Sequence, residues 1–180
     1  VDTLRRVFPG VHGRLVDLCT PSHRRYDTAM AAVIGRLSDA VVVETQRVAV
    51  EALRFLREER LPVLTLLPLD ALLVPPAARL DALRQRLASP GSPSARLAVD
   101  VCRPRDAAVA RAVAFACGTA VVGESTDGAR QLVYEAAVGT RVVALDGTIV
   151  HHNGNLTGGA FAASDRRHWE EREVRELRAE

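Results

Sequence analysis

Hydrophobic and polar positions fall into two kinds of run along this chain. Short continuous apolar stretches rich in β-branched residues occur at DAVVVE (39–44), PVLTLLPL (62–69), RLAVDV (96–101), TAVVGE (119–124) and RVVALD (141–146). This is the pattern of strands buried on both faces. Between them, apolar residues recur at helical spacing. Tyr26, Met30, Val33 and Ile34 form one stripe that stops at Gly35, and Val48, Ala52, Phe55 and Leu56 form another behind Thr45. The spacing predicts amphipathic helices, the first closed by Gly35 and the second running from about Thr45. GRLVDLC (13–19) predicts a further strand, and Thr20-Pro21 predicts a helix start, a cap followed by proline at the first helical position. Ala77–Leu87, the segment from Pro104 to Gly118 with Val109, Val113 and Cys117, and about Ser125–Ala137 predict the remaining helices.

Two βαβαβ rhythms in succession imply an α/β fold with parallel or mixed sheets covered by helices. The breaker-rich ASPGSPSA places a linker at about 89–95, between a first lobe (9–88) and a second (96–161). No residue-level repeat between the halves is visible. The rhythm changes at DGTIVHHNGNLTGGAFA, where Asp-Gly and Asn-Gly turn signals flank two short strands and predict an antiparallel ribbon at a sheet edge. Residues 162–180 are highly charged with sparse apolar positions such as Trp169, Val174 and Leu177, and Val1, Leu4 and Phe8 are spaced similarly within 1–8. Both ends resemble cut ends of longer helices, a coiled-coil pair being one reading.

At 180 residues and 48% hydrophobic, the chain can bury a generous core. Its net charge of +2 offers little global attraction for a polyanion, and all 24 basic residues are arginine. Without lysine there is no phosphate-cradling P-loop, so any ATPase activity resides elsewhere. Cys19, Cys102 and Cys117 lack a CxxC spacing and read as buried thiols, with no metal and no cofactor implied. No apolar run approaches the roughly 20 residues of a membrane span, and VDTLRRVFPG lacks a signal peptide's apolar stretch. The expectation is a soluble intracellular protein.

VVALDGT resembles a phosphatase nucleophile motif, but the nucleophile position is Ala144, which cannot attack phosphorus. A GxSxG elbow and a Rossmann GxGxxG are missing, so no small-molecule substrate is indicated. His151 and His152 sit on a predicted strand and point to opposite faces, against joint metal ligation. His12, His23 and His168 read as solvated. Arg24 with Arg25, Arg84 with Arg86, and Arg166 with Arg167 are candidate DNA contacts, or simply solvated helix faces. Gly147, Gly154, Gly158 and Gly159 would let edge strands approach a neighbouring backbone. Either another chain covers that edge by β-augmentation, or the segment is an ordinary turn and exit loop.

FPGVHGRLVDLC (8–19), LPLDALLV (67–74), ACGTAVV (116–122) and VALDGTIVHHNGNLTGG (143–159) resemble, in order and spacing, the hinge domain of SMC chromosome-organising proteins. The opening and closing blocks are most similar to the first SMC subunit of cohesin. The resemblance implies a half-ring of two small α/β subdomains with mixed sheets, flanked by coiled-coil stubs, and no catalysis in this chain. It implies a heterodimer with the hinge of cohesin's third SMC subunit, and leaves a homodimer in isolation open. Gly147, Gly154, Gly158 and Gly159 would then lie at the dimer contact. The function implied is architectural: a nuclear, chromosome-associated ring that encloses DNA, with auxiliary DNA contact by the arginine clusters. The rival reading is a free-standing α/β enzyme or ligand-binding domain, with its site at the carboxyl ends of the strands.

Overall fold

The computed structural model describes residues 1–135 and 138–158. In chain order the elements are α1 (Asp2–Val7), β1 (Val11–Arg14), a 3-10 turn (Leu15–Leu18), β2 (Cys19–Pro21), α2 (Asp27–Ile34), β3 (Val41–Val43), α3 (Gln46–Glu58) and β4 (Leu66–Pro68). They continue as α4 (Ala77–Leu87), β5 (Ala95–Leu97), α5 (Ala98–Val101), β6 (Cys102–Pro104), α6 (Ala110–Cys117), β7 (Val121–Gly123), α7 (Thr126–Tyr134), β8 (Val142–Ala144), β9 (Ile149–Val150) and β10 (Leu156–Thr157). The fold is mixed α/β.

Three sheets organise it. One runs β1-β3-β4, a second β10-β9-β8-β7-β5, and a two-stranded ladder pairs β2 with β6 across the halves. In each larger sheet a valine-rich strand has an antiparallel neighbour on one side and a parallel one on the other: β3 lies between β1 and β4, and β7 between β5 and β8. Burial on both faces explains the unbroken apolar runs: Val41, Val42, Val43, Val142 and Val143 are fully buried.

The strand expected at 13–19 is broken. It shifts register between Val11 and Gly13 and then coils at Leu15–Leu18. Leu15 and Val16 are both buried although adjacent, which a strand's alternating faces do not allow beside a single core. RLAVDV behaves the same way, as β5 followed by α5, where Leu97 and Ala98 are both buried. Thr20-Pro21 does not start a helix, because both residues lie in β2 and face Arg103 and Cys102. The helical path begins instead after His23, whose Nδ1 accepts the Arg25 N–H at 3.1 Å. Thr45 caps α3, accepting from the Val48 N–H, and Ser125 caps α7 through the Gly128 N–H. Such caps are each worth about 1 kcal/mol.

The halves repeat one topology, as the two successive rhythms imply, and a residue-level correspondence that was not visible in the sequence accompanies it. β1 through β4 correspond in order and pairing sense to β5 through β8, and aligning the sequence on them pairs Val16 with Val99, Asp17 with Asp100, Cys19 with Cys102 and Pro21 with Pro104. Further on it pairs Gly35 with Gly118, Glu44 with Glu124, Leu69 with Leu145 and Asp70 with Asp146. Gly35 (φ +48°) and Gly118 (φ +56°) end α2 and α6 in the left-handed region that favours glycine.

The core does not divide at the linker. One central cluster takes Leu15, Met30 and Val42 from the first half together with Val101, Val113 and Val122 from the second. The Arg141 guanidinium, from just before β8, donates to the Val33 carbonyl at 3.0 Å near the end of α2. Helix α4, although it precedes the linker, packs on β5 and buries Leu83 beside Leu97 and Val121. At the other end α1 is seated on α3: Leu4 packs with Ala52 and Leu56, and the Phe8 and Phe55 rings meet edge-on at 5.7 Å.

Candidate functional site

Each half leaves a sheet margin uncovered within the described chain. In the first, β4 is an edge strand; in the second, β10 is. Apolar side chains accompany both margins. Val63, in the irregular segment before β4, is 100% exposed, Leu73 beyond it is 86% exposed, and Leu156 on β10 is 56% exposed. Fully exposed aliphatic side chains beside an open strand mark a contact surface or an aggregation hazard. Val63 and Leu73 are absent from the sequence-based site, and their signal was the apolar excess of PVLTLLPLDALLV beyond what β4 can bury.

The antiparallel ribbon exists as expected, with Leu156 opposite Val150 and Thr157 opposite Ile149. It places the four glycines differently. Gly154 is exposed at the ribbon's turn with φ +93°, and an added Cβ there would meet nothing within 4 Å. Gly158 is exposed too, and a Cβ would touch only Thr148, at an ordinary 3.4 Å. Gly147 is buried, and its φ of +92° serves the β8–β9 turn inside the chain. Gly159 lies outside the described residues. His151 and His152 fall after β9, in the turn and not on a strand.

Asp146 organises that turn. Its Oδ1 accepts the Thr148 N–H at 2.8 Å and its Oδ2 the Thr126 hydroxyl at 3.0 Å. The bond from the Thr148 backbone is the main reason the carboxyl is held below its ordinary value; desolvation opposes it, and the Thr148 and Thr126 hydroxyls lower the value further. Ala144, at the would-be nucleophile position, is fully buried.

The arginine candidates are not equivalent. Arg25 stacks on Tyr26, 4.7 Å from the ring centroid, and donates to its hydroxyl. Arg24 and Arg25 are both exposed on the turn before α2. Arg84 is engaged within the chain, donating to both Asp100 oxygens at 2.9 and 2.6 Å and to Asp81 at 2.7 Å. Arg86 is exposed on the same helix. Arg166 and Arg167 lie outside the described residues.

Cys19, Cys102 and Cys117 are free and buried, as expected. Hydrogen bonding to the Cys117 sulfur pushes the Cys102 thiol well above its ordinary value, Cys19 opposes this, and burial adds to it. Such a thiol is a poor nucleophile. His12 departs from expectation: it is half-buried, and its Nε2 is enclosed without a hydrogen-bond partner. His23 is exposed, and His168 lies outside the described residues. Among the described residues no group of three metal-ligating side chains is assembled, and no helix is long and apolar enough to cross a membrane. At the carboxyl end of β7, Glu124 accepts from the Ser94 hydroxyl at 3.1 Å, beside Arg25, Arg96 and Leu145. These polar groups face a narrow crease instead of converging on a ligand-sized cleft.

Residues 8–133 match the family model for the "SMC proteins Flexible Hinge Domain". The chain belongs to the SMC hinge family. It is 35% identical to Structural maintenance of chromosomes protein 1 of Schizosaccharomyces pombe, an alignment that covers 93% of this chain and 13% of that protein. It is also 35% identical to the protein of that name in Caenorhabditis elegans, with 99% and 14% covered, and 34% identical to human Structural maintenance of chromosomes protein 1B, again with 99% and 14% covered. The chain thus spans about one seventh of the relatives it matches. Among solved structures it resembles one hinge of an asymmetric dimer from Geobacillus stearothermophilus, with a TM-score of 0.81 and 28% identity over 98% of this chain and 69% of that one. The Pyrococcus furiosus SMC hinge domain gives a TM-score of 0.68 and 28% identity, covering 88% of this chain and 78% of that one.

Proposed function

We propose that this hinge joins two SMC subunits of cohesin, pairing with the hinge of the third SMC subunit so that the two long arms are held in a ring enclosing DNA. The observation that carries the reading is the pair of apolar open margins, Val63 and Leu73 beside β4 and Leu156 on β10. A second hinge related by a two-fold or near two-fold axis would cover both margins at once. Open strand edges supply main-chain hydrogen bonds, and exposed aliphatic side chains supply the buried centre. Gly154, Gly158 and Gly159 belong to this contact in our reading, as residues that let the partner backbone close in, whereas Gly147 shapes the ribbon from within. The lobes divide at about 89–95, with the arms at 1–8 and 162–180. Similarity to proteins called Structural maintenance of chromosomes protein 1 favours the cohesin assignment and a nuclear, chromosome-associated location.

DNA contact is an auxiliary part of the proposal, assigned to Arg24 and Arg25, with Arg86 and the arm residues Arg166 and Arg167 as further candidates. Arg84 contributes less, because Asp81 and Asp100 already neutralise it. Light scattering of the chain mixed with a third-subunit hinge should give a one-to-one complex; two persistent monomers would end the reading. Gly158→Trp should abolish that complex while leaving the melting temperature of the unmixed chain nearly unchanged. Short duplex DNA should bind with an affinity that falls steeply with salt, and less steeply after Arg24 and Arg25 are replaced by alanine.

A further inference from the structure

The internal repeat aligns two loops that begin alike and end differently. LLPLDALLV (66–74) matches VVALDGTIV (142–150) residue for residue, with Asp70 on Asp146 and Leu73-Val74 on Ile149-Val150. Both loops open with the same turn: the Gly147 N–H bonds the Ala144 carbonyl at 2.9 Å, and the Ala71 N–H bonds the Pro68 carbonyl at 3.1 Å. Both aspartates hold the start of the following layer's helix, Asp146 through the Thr126 hydroxyl and Asp70 through the Gln46 N–H at 2.9 Å. The next bond separates them. In the second half the Ala144 N–H donates to the Thr148 carbonyl at 2.8 Å and closes a hairpin, so Ile149 and Val150 become β9 and are buried. In the first half the matching donor would be Pro68, which has no N–H. Ala71 also stands where Gly147 adopts φ +92°, a conformation that a side chain disfavours. The hairpin cannot close.

The carbonyl left over, that of Leu72, is taken by Arg111. This residue lies on α6, in the other half of the molecule, and its Nε and Nη2 both donate to the Leu72 oxygen, at 3.1 and 2.8 Å. At the matching position on α2 stands Thr28, opposite a hairpin that already satisfies its own carbonyl. We infer that Arg111 is a positioning residue for dimerisation: it replaces the hairpin bond that Pro68 cannot make and so holds the 69–74 loop with Leu72 buried and Leu73 turned outward. The loop is thereby fixed at two points, Asp70 on α3 and Leu72 on α6, and the apolar Leu73 is presented on a rigid backbone. A partner then binds without having to order the loop first.

This inference rests on the dimerisation reading, and its test separates the two. Hydrogen exchange of the unmixed 180-residue chain reports the clamp, and the dissociation constant for a third-subunit hinge reports the contact. Arg111→Ala should raise exchange at Ala71 and Leu72, whose N–H groups bond the Pro68 carbonyl, and weaken association, each about tenfold, since it removes two bonds from a charged donor. Exchange in β7 and β8 should not change. Leu73→Ser should weaken association without changing loop exchange, and the double variant should bind no more weakly than Leu73→Ser alone. Arg111→Lys, which keeps the charge and one donor, should fall between, and it stands in for Arg111→Ala should that variant fail to fold. Wild-type exchange in Arg111→Ala would overturn the clamp. Faster exchange with unchanged affinity, or full affinity in Leu73→Ser, would overturn its role in dimerisation. A wild-type chain that binds no hinge would instead overturn the dimerisation reading, with exchange still deciding whether Arg111 holds the loop.

Discussion

The margins of the two sheets start from the same scaffold and finish in opposite states. After β8 the chain folds back as β9 and β10 and covers that strand with its own backbone; after β4 it turns away and leaves that strand bare. The difference traces to two positions, Pro68 against Ala144 and Ala71 against Gly147. A missing N–H and a missing tolerance for positive φ are enough to turn a hairpin into an exposed apolar loop. The repeated topology therefore supplies two equivalent edges, and local backbone chemistry makes them unequal. One chain can then offer a ribbon at one margin and a receptive edge at the other.

The comparison can be broken at several strengths. The largest effect tests whether the halves are separate at all. Leu132 is fully buried in the second half's own cluster, and Leu132→Ala should cost about 3 kcal/mol. Because the central cluster takes residues from both halves, calorimetry should still show one transition at lower temperature; two resolved transitions would mean that the halves fold independently. Next, Gly147→Ala should cost about 1–2 kcal/mol in urea unfolding through its positive φ, whereas Ala71→Gly, its counterpart, should change stability far less. Equal costs would refute the asymmetry of the two turns.

The smallest effect is electrostatic. The Asp146 carboxyl is held below its ordinary value, so its contribution to stability is fully present above that value and is lost as pH falls through the lower, folded-state value. Stability of the wild type should decline more in that acid range than stability of Asp146→Asn, measured by urea unfolding at a series of pH values. Parallel curves would show that the turn does not depend on the charge.

Much of the fold was legible because its signals are local. Helix α4 (Ala77–Leu87) appears at the bounds given to it from the sequence, and α3 and α7 start one residue after the expected Thr45 and Ser125. The unbroken valine runs announced strands buried on both faces. Misreadings arose where one apolar segment changes conformation midway, at 13–19 and 96–101, since a run of buried residues looks the same whether it extends or coils. The residue-level correspondence escaped notice because few residues are identical, and because residues 36–38 add a turn after Gly35 that has no match after Gly118. Of the candidate site, the ribbon and its exposed Gly154 and Gly158 were readable from turn chemistry. Arg84's engagement with Asp100, the burial of Gly147 and the outward turn of Leu73 were not, because each depends on what lies opposite.

Taken alone, the sequence determined the α/β class, most of the helices, the lack of a P-loop and the family blocks, because those follow from residue type and spacing along one stretch of chain. Only the tertiary structure decided that the halves share a core and that β4 and β10 are edge strands among the described residues. It also brought Arg111 across from α6 to hold the Leu72 carbonyl. Hydrogen-bond satisfaction is settled by whichever partner arrives in space, and no local pattern carries that information.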